Sequence, residues 1–271
     1  MYYQVYPNMT KEADYVVLAS GLGGHASFWQ PQIQALQAYF HVVVYDQEGC
    51  HADSAALPKD YSFFNLAEQV EQLLCHLQIK RFHFIGHALG GFIGVEWAYR
   101  FAQTSAQMLS LSLINAWQSL DAHTRRCFTT RRTLLEQAGA EAYLHAQALF
   151  LYPPTWISSH SAMLIEQEAK LQHDFPPHGN VLARLNALMH YVLDKPRCTA
   201  LDSLPILLLC NQDDMLVPYT QSLQLYRALC HAELVILPQG GHACTVTQAG
   251  QVNTCLIEFL NQTDNAQLKS A

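Results

Sequence analysis

Six short apolar runs, at residues 15–19, 42–45, 82–85, 109–114, 206–210 and 234–237, are each bounded by Gly, Pro, Asp or Asn. They read mostly as continuously apolar, which is the pattern of strands covered on both faces. Longer stretches with helical spacing separate them, at residues 31–39, 64–79, 89–101, 219–230 and 246–261. A chain that alternates in this way is expected to lay its strands side by side in a mostly parallel α/β sheet with helices on both faces. Half of its 271 residues are hydrophobic, so there is apolar surface enough to bury such a core.

One segment breaks the rhythm. Residues 119–199 contain no strand-like run and read as helix, interrupted at Tyr152-Pro153-Pro154 and at Phe175-Pro176-Pro177-His178-Gly179. The segment is too long to be a plain loop of a compact domain. The expected organisation is therefore a core formed by residues 1–118 and 200–271, with a helical cap, residues 119–199, inserted between two strands. Such a cap would cover the carboxyl ends of the strands, where open α/β sheets bind ligands.

Composition narrows the function. The balance of 15 basic and 22 acidic residues gives a formal charge of −7, and no basic run would hold a phosphate backbone. Nucleic acid and anionic membrane surfaces are excluded as expected partners, which leaves a small-molecule substrate and a monomer or homodimer. The first residues, Met-Tyr-Tyr-Gln-Val-Tyr-Pro-Asn, lack the basic and apolar regions of a signal peptide, and no apolar run reaches membrane-spanning length. A cytoplasmic location is expected. The eight cysteines include no Cys-x-x-Cys pair and read as small buried hydrophobes. The fourteen histidines form no metalloprotease-type helix and no Cys/His ligand quartet, so neither a metal nor a cofactor is expected.

Three motifs carry the candidate chemistry. Ser20-Gly21-Leu22-Gly23-Gly24 follows the first strand run and superficially fits a dinucleotide fingerprint. In that fold the helix begins at the glycines, which would bury Pro31 about two turns inside it at a cost of ~3 kcal/mol. A helix starting at Gln30 or Pro31 is expected instead, which leaves the glycines as a loop with free N–H groups. Phe84-Ile85-Gly86-His87-Ala88-Leu89-Gly90-Gly91 runs from a strand into a helix and has the shape of a nucleophile elbow, Gly-x-Ser-x-Gly. The nucleophile position holds Ala88, whose methyl group cannot attack a substrate. Asp213 and Asp214 follow the strand run at 206–210, and Gly240-Gly241-His242 follows the run at 234–237. Elbow, acid and histidine thus occur in the order of an α/β-hydrolase, each at a strand end.

These pieces resemble the α/β-hydrolase superfamily and, within it, the RutD family of pyrimidine degradation. The resemblance covers about residues 15–259. It rests also on Tyr45-Asp46-Gln47, His123-Thr124-Arg125-Arg126-Cys127-Phe128, residues 149–153 with Trp156, residues 184–188, and Gly240-Gly241-His242-Ala243-Cys244. Alanine at the elbow is itself a feature of that family. The resemblance implies hydrolysis of 3-aminoacrylate or of carbamate, both small, labile C–N compounds. It implies His242 as general base and Asp214 as its orienting acid, since Asp-x-x-Val-Pro is the superfamily spacing. Asp213 reads as a turn or cap residue. The backbone N–H groups of Leu22 and Leu89 are the expected donors to a substrate oxygen, and Ala88 an expected neighbour of the substrate; Trp117 reads equally as a substrate neighbour in the pocket lining or as a packing residue. Arg125 and Arg126 read as solvated charges or holders of a substrate carboxylate, and His25 and His87 as packing residues. The chain departs from the family at Gln47-Glu48-Gly49-Cys50-His51, where the family has Gln-Arg-Gly-x-Gly, so an anion replaces a cation and a histidine a glycine. Water, not serine, is the expected nucleophile. The rival readings are a non-catalytic binder of small ligands, and a cofactor-free lyase or oxygenase using the same histidine and acid.

Overall fold

The computed structural model describes residues 1–10, 12–229 and 231–270, the last six of these as backbone alone. Each of the six apolar runs lies within a strand: β2 (Tyr15–Ala19), β3 (His41–Tyr45), β4 (Arg81–His87), β5 (Gln107–Ile114), β6 (Ile206–Asn211) and β7 (Ala232–Leu237). A further strand, β1 (Tyr3–Tyr6), pairs antiparallel with β3 at the sheet edge. It carries too little apolar character to have stood out in the sequence. The sheet order is β1-β3-β2-β4-β5-β6-β7, and all pairs except β1–β3 are parallel. All residues of β3 and β6 are buried, as continuously apolar runs require. β7 is an edge strand and only partly buried.

The pleat sends alternate side chains into two separate cores. Val16, Leu18, Val42 and Val44 meet Ile33 and Leu36 of α1 (Gln30–Gln37) and Val252 and Leu256 of α10 (Ala249–Ser270). Val17, Ala19, Val43 and Tyr45 meet Leu66 and Val70 of α2 (Phe63–His76) and Phe92 and Val95 of α3 (Leu89–Phe101). The α1 start puts Pro31 in the first turn, where its missing N–H costs no hydrogen bond. The helix expected at 219–230 is observed as α9 (Tyr219–Ala228), and Cys230 lies outside the described residues.

Five helices fill the chain between β5 and β6: α4 (Ala122–Leu151), α5 (Pro154–Ser159), α6 (Ser161–His173), α7 (His178–His190) and α8 (Lys195–Ala200). The Asp121 side chain caps α4 through the N–H of Thr124, 2.7 Å away. Gly139 breaks α4 with a φ of +86°. His178 and Gly179, expected to lie in a break, instead open α7, and only residues 174–177 separate it from α6.

Candidate active site

β4 enters α3 through a turn so tight that no side chain fits on its flanks. A Cβ on Gly86 would lie 2.3 Å from the backbone of Gly90, and one on Gly90 would lie 2.0 Å from the carbonyl oxygen of Ala19. Between them Ala88 has φ +48° and ψ −111°, a conformation L-residues rarely adopt. Such strain costs of order 1–3 kcal/mol and persists where the surroundings over-determine it. The N–H of Ala88 is used in a 2.8 Å bond to the carbonyl of Ile114. Leu89 begins α3, so its N–H belongs to the first turn, which has no intrahelical acceptor.

His242 reaches the elbow because two acids hold two different turns. Asp213 accepts the N–H groups of Gly240 and Gly241 at 3.1 and 2.9 Å and shapes the loop before the histidine. Asp214 uses Oδ1 to accept the N–H groups of Leu216 and Val217, at 2.8 and 2.9 Å, and presents Oδ2 to Nδ1 of His242 at 2.8 Å. A carboxylate only accepts, so Nδ1 carries a proton, and in the neutral imidazole the lone pair is on Nε2. Both residues are buried. The carbonyl of His242 is itself fixed by Nδ2 of Asn115 at 2.7 Å and by Nε2 of His87 at 2.8 Å. Burial, reinforced by the nearby His242, pushes the His87 pKa down to about 3. His87 is therefore neutral, and it donates from Nε2 to that carbonyl.

The glycine loop lies against the same turn. Gly24 donates to the carbonyl of Gly21 at 3.1 Å. From α7, the buried Arg184 donates to the carbonyl of Leu22 through Nε (3.3 Å) and Nη2 (3.1 Å), and to the carbonyl of Glu48 through Nη1 (3.1 Å). Nη2 also donates to Oε1 of Gln47. A side chain of the inserted helices thus fixes the loop expected to bind a substrate oxygen. Arg184 also bears on the local departure from the family, since it supplies the positive charge next to Glu48.

Ser20–Gly24, Phe28, His87, Ala88, Leu216 and His242 form the core wall of a cavity of about 170 Å³. That is far below the roughly 300–1,000 Å³ usual for drug-sized ligands. The opposite residues come from the inserted helices: Phe128, Arg131, Gln147 and Leu151 of α4, Leu171 of α6 and Leu188 of α7. The structure thus gathers His242, Asp214, Leu22 and Ala88 at one site. Trp117 is not part of that wall. It packs edge-on against Phe92, with ring centroids 4.8 Å apart, and lies in the core behind Phe128. Arg125 and Arg126 are exposed on α4 and do not line the cavity.

The cation that does line it is Arg131, which the sequence reading missed. It is 4% exposed, with Nη2 donating to the Tyr143 hydroxyl (2.8 Å) and to Oε1 of Gln147 (3.2 Å). Its Nε is buried without a partner, and no carboxylate pairs with it among the described residues. The signal was present in the helical period. Thr124, Phe128, Arg131 and Leu135 are all buried on one stripe of α4, at spacings of four, three and four. An arginine on the buried stripe of a helix is the anomaly to look for.

With the geometry in place, comparison with known proteins identifies the relationship. A model of the alpha/beta hydrolase family matches residues 16–254. A protein of Acinetobacter baylyi with the curated name "Putative carbamate hydrolase RutD" is 62% identical over 96% of this chain and 98% of its own. The protein of the same name from Serratia proteamaculans is 43% identical over 99% of both chains. Among solved structures, an enol-lactonase from Burkholderia xenovorans superimposes with a TM-score of 0.83, at 23% identity over 96% of both chains. The last shows a shared fold. The chain belongs to the alpha/beta hydrolase family and, within it, groups with the RutD proteins.

Proposed function

We propose that this member of the alpha/beta hydrolase family hydrolyses a small, labile C–N compound of pyrimidine breakdown, carbamate or 3-aminoacrylate, with water as the nucleophile. The observation that carries the reading is the pairing of an alanine at the strained elbow position with an intact, buried His242–Asp214 couple on the same cavity. The couple would be idle without a proton to move, and Ala88 offers none. Water beside Ala88 gives its proton to Nε2 of His242 as its oxygen adds to the carbon that bears nitrogen. The C–N bond then breaks, and the imidazolium returns the proton to the departing nitrogen. Carbamate plus water gives ammonia and bicarbonate. Aminoacrylate, reacting as its imine tautomer, first receives that proton on nitrogen to give a carbinolamine; its hydroxyl proton then passes through His242 to nitrogen as ammonia leaves and the corresponding aldehyde forms. Donors from the Leu22 and Leu89 backbone meet the developing oxygen charge, a task worth ~3 kcal/mol per donor in such sites. Both substrates carry a carboxylate, and Arg131 is the unpaired cavity cation that receives it. The modest catalysis available without a covalent nucleophile suits substrates that also decompose unaided.

The test is ammonia release with the spontaneous rate subtracted. His242→Gln is expected to lower the enzyme-dependent rate by about 10²–10⁴, the usual contribution of a general base. Asp214→Asn is expected to fall comparably, because Nδ1 loses the acceptor that sets its tautomer. Wild-type turnover in a folded His242→Gln protein would overturn the mechanism, and no ammonia above background from either substrate would favour a non-catalytic binder.

A further inference from the structure

The loop that follows β3 brings Asp46, Cys50 and His51 to the flank of the glycine loop, where they meet His25. One donor atom from each of the four lies within 4.8 Å of all the others. We propose that these residues form a zinc site, separate from the reaction described above.

The donor set suits zinc. Two imidazoles, a thiolate and a carboxylate are borderline and soft ligands that together make a four-coordinate shell with no position left for substrate. The thiolate and carboxylate offset the two positive charges of the ion. Two donors are uncommitted to other residues: neither His25 nor Cys50 shares a side-chain hydrogen bond with another described residue, and His25 packs its ring edge-on against His51. The other two are oriented from behind. Asp174, just after α6, accepts from Nδ1 of His51 at 2.7 Å while its other oxygen accepts the N–H of Ala52 at 3.0 Å. That leaves Nε2 of His51 directed into the cluster, the carboxylate–histidine arrangement found behind metal-ligating histidines. Asp46 has Oδ1 held by the N–H of Ala26 at 2.7 Å, so Oδ2 faces inward. Nε2 of His51 and Oδ2 of Asp46 are 2.8 Å apart, close enough to share a proton. Zinc takes the place of that proton. Ligand distances of about 2.0–2.3 Å require tetrahedral edges of roughly 3.3–3.6 Å, so this pair opens slightly and the wider pairs close by an ångström or so. His51 is one-third exposed and gives the ion a route in, whereas Cys50 is buried.

A second group, Asp14, His83 and Asp264, contains no sulfur. Its donors are already engaged: Asp14 with Arg81, and His83 with Ser110 and Asp264. The proposed site is also better placed to matter. It joins the β2–α1 loop, the β3–α2 loop and, through Asp174, the inserted helices. His25 lines the reaction cavity, so zinc would stiffen the loop that carries Leu22.

The experiment uses the full-length, tag-free protein stripped of metal and titrated with Zn²⁺, and in parallel with Co²⁺. One equivalent of Zn²⁺ is expected to bind and to raise the melting temperature. Co²⁺ is expected to give a thiolate charge-transfer band. Cys50→Ser abolishes the band, whereas Cys75→Ser, at an exposed thiol on α2, leaves it unchanged. Asp174→Asn keeps all four ligands and weakens zinc by about 10- to 100-fold, the usual effect of losing the carboxylate behind a histidine ligand. Absence of stoichiometric zinc uptake in the wild type overturns the site. So does uptake that survives in the Cys50→Ser and His25→Asn proteins, because that zinc is held elsewhere.

Discussion

The cavity has two walls built on different principles. On the core wall the groups are backbone, or side chains locked to backbone: the Ser20–Gly24 loop, Ala88 in a strained turn, and His242 with its carbonyl held by Asn115 and His87. On the wall supplied by α4, α6 and α7 they are side chains on helices, above all Arg131, while Arg184 of α7 grips the glycine loop from outside the cavity. Strand ends fix positions to a fraction of an ångström, which suits proton transfer and oxygen binding. Helical side chains fill, charge and shape a space, which suits the choice of substrate. On the proposed mechanism, the comparison assigns reaction and selection to two different parts of the chain.

The division should appear first in stability. Gly90→Ala places a methyl group 2.0 Å from the carbonyl of Ala19, where only backbone can give way. We expect a loss of more than about 3 kcal/mol, beyond the ordinary overpacking range, or no folded protein at all. Gly179→Ala, in the first turn of α7, meets nothing within 4 Å. It should stabilise by up to about 1 kcal/mol, the helix-propensity gain of alanine over glycine. Denaturant unfolding of both variants checks the contrast, and similar values would mean that the two walls are equally rigid.

A smaller effect separates selection from reaction. Arg131→Leu removes a charge-assisted contact worth about 1.5–3 kcal/mol to a carboxylate, so KM should rise roughly 10- to 100-fold. The kcat should change far less, and Arg131→Lys should recover part of the loss. A fall in kcat alone, with KM untouched, would move Arg131 from the selecting wall to the reacting one. Small carboxylates should inhibit the wild type competitively and the leucine variant weakly.

The two walls also differed in how readable they were. Strand 15–19 and helix 89–101 coincide with β2 and α3, because runs buried on both faces and a glycine-flanked turn leave the chain few options. Gly86, Ala88, Asp214 and His242 were legible for the same reason, since each sits at a strand end whose position the hydrophobic pattern sets. The inserted segment gave only its helical character and its proline breaks. Arg125 and Arg126 are exposed, as solvated helix charges are; Arg131 was not singled out, although the stripe through Phe128 and Leu135 passes through 131 and not through 125 or 126. Trp117 follows a strand and read equally as a pocket or a packing residue; its ring turns into the core against Phe92. The His25, Asp46, Cys50 and His51 group left no motif, because its members come from two loops and its orienting Asp174 lies 123 residues beyond His51.

The smallest expected change tests the core wall alone. Ala88→Ser adds one oxygen at a position already strained, beside a histidine whose Nε2 is free to accept its proton. The backbone has accepted that geometry, so the strain is common to both proteins and stability should shift little. Hydrolysis of an activated ester such as nitrophenyl acetate should rise by about tenfold or less, because the surroundings were not shaped for acyl transfer. Mass spectrometry should trap a serine-linked acetyl group. Ammonia release should fall in the same protein, because the hydroxyl takes the space that the attacking water requires. That opposite response is the informative one. A gain in esterase with ammonia release unchanged would mean that the water attacks from somewhere other than the elbow. No adduct, with the introduced hydroxyl pointing away from His242, would dissolve the elbow assignment and leave His242–Asp214 as a pair without a neighbour.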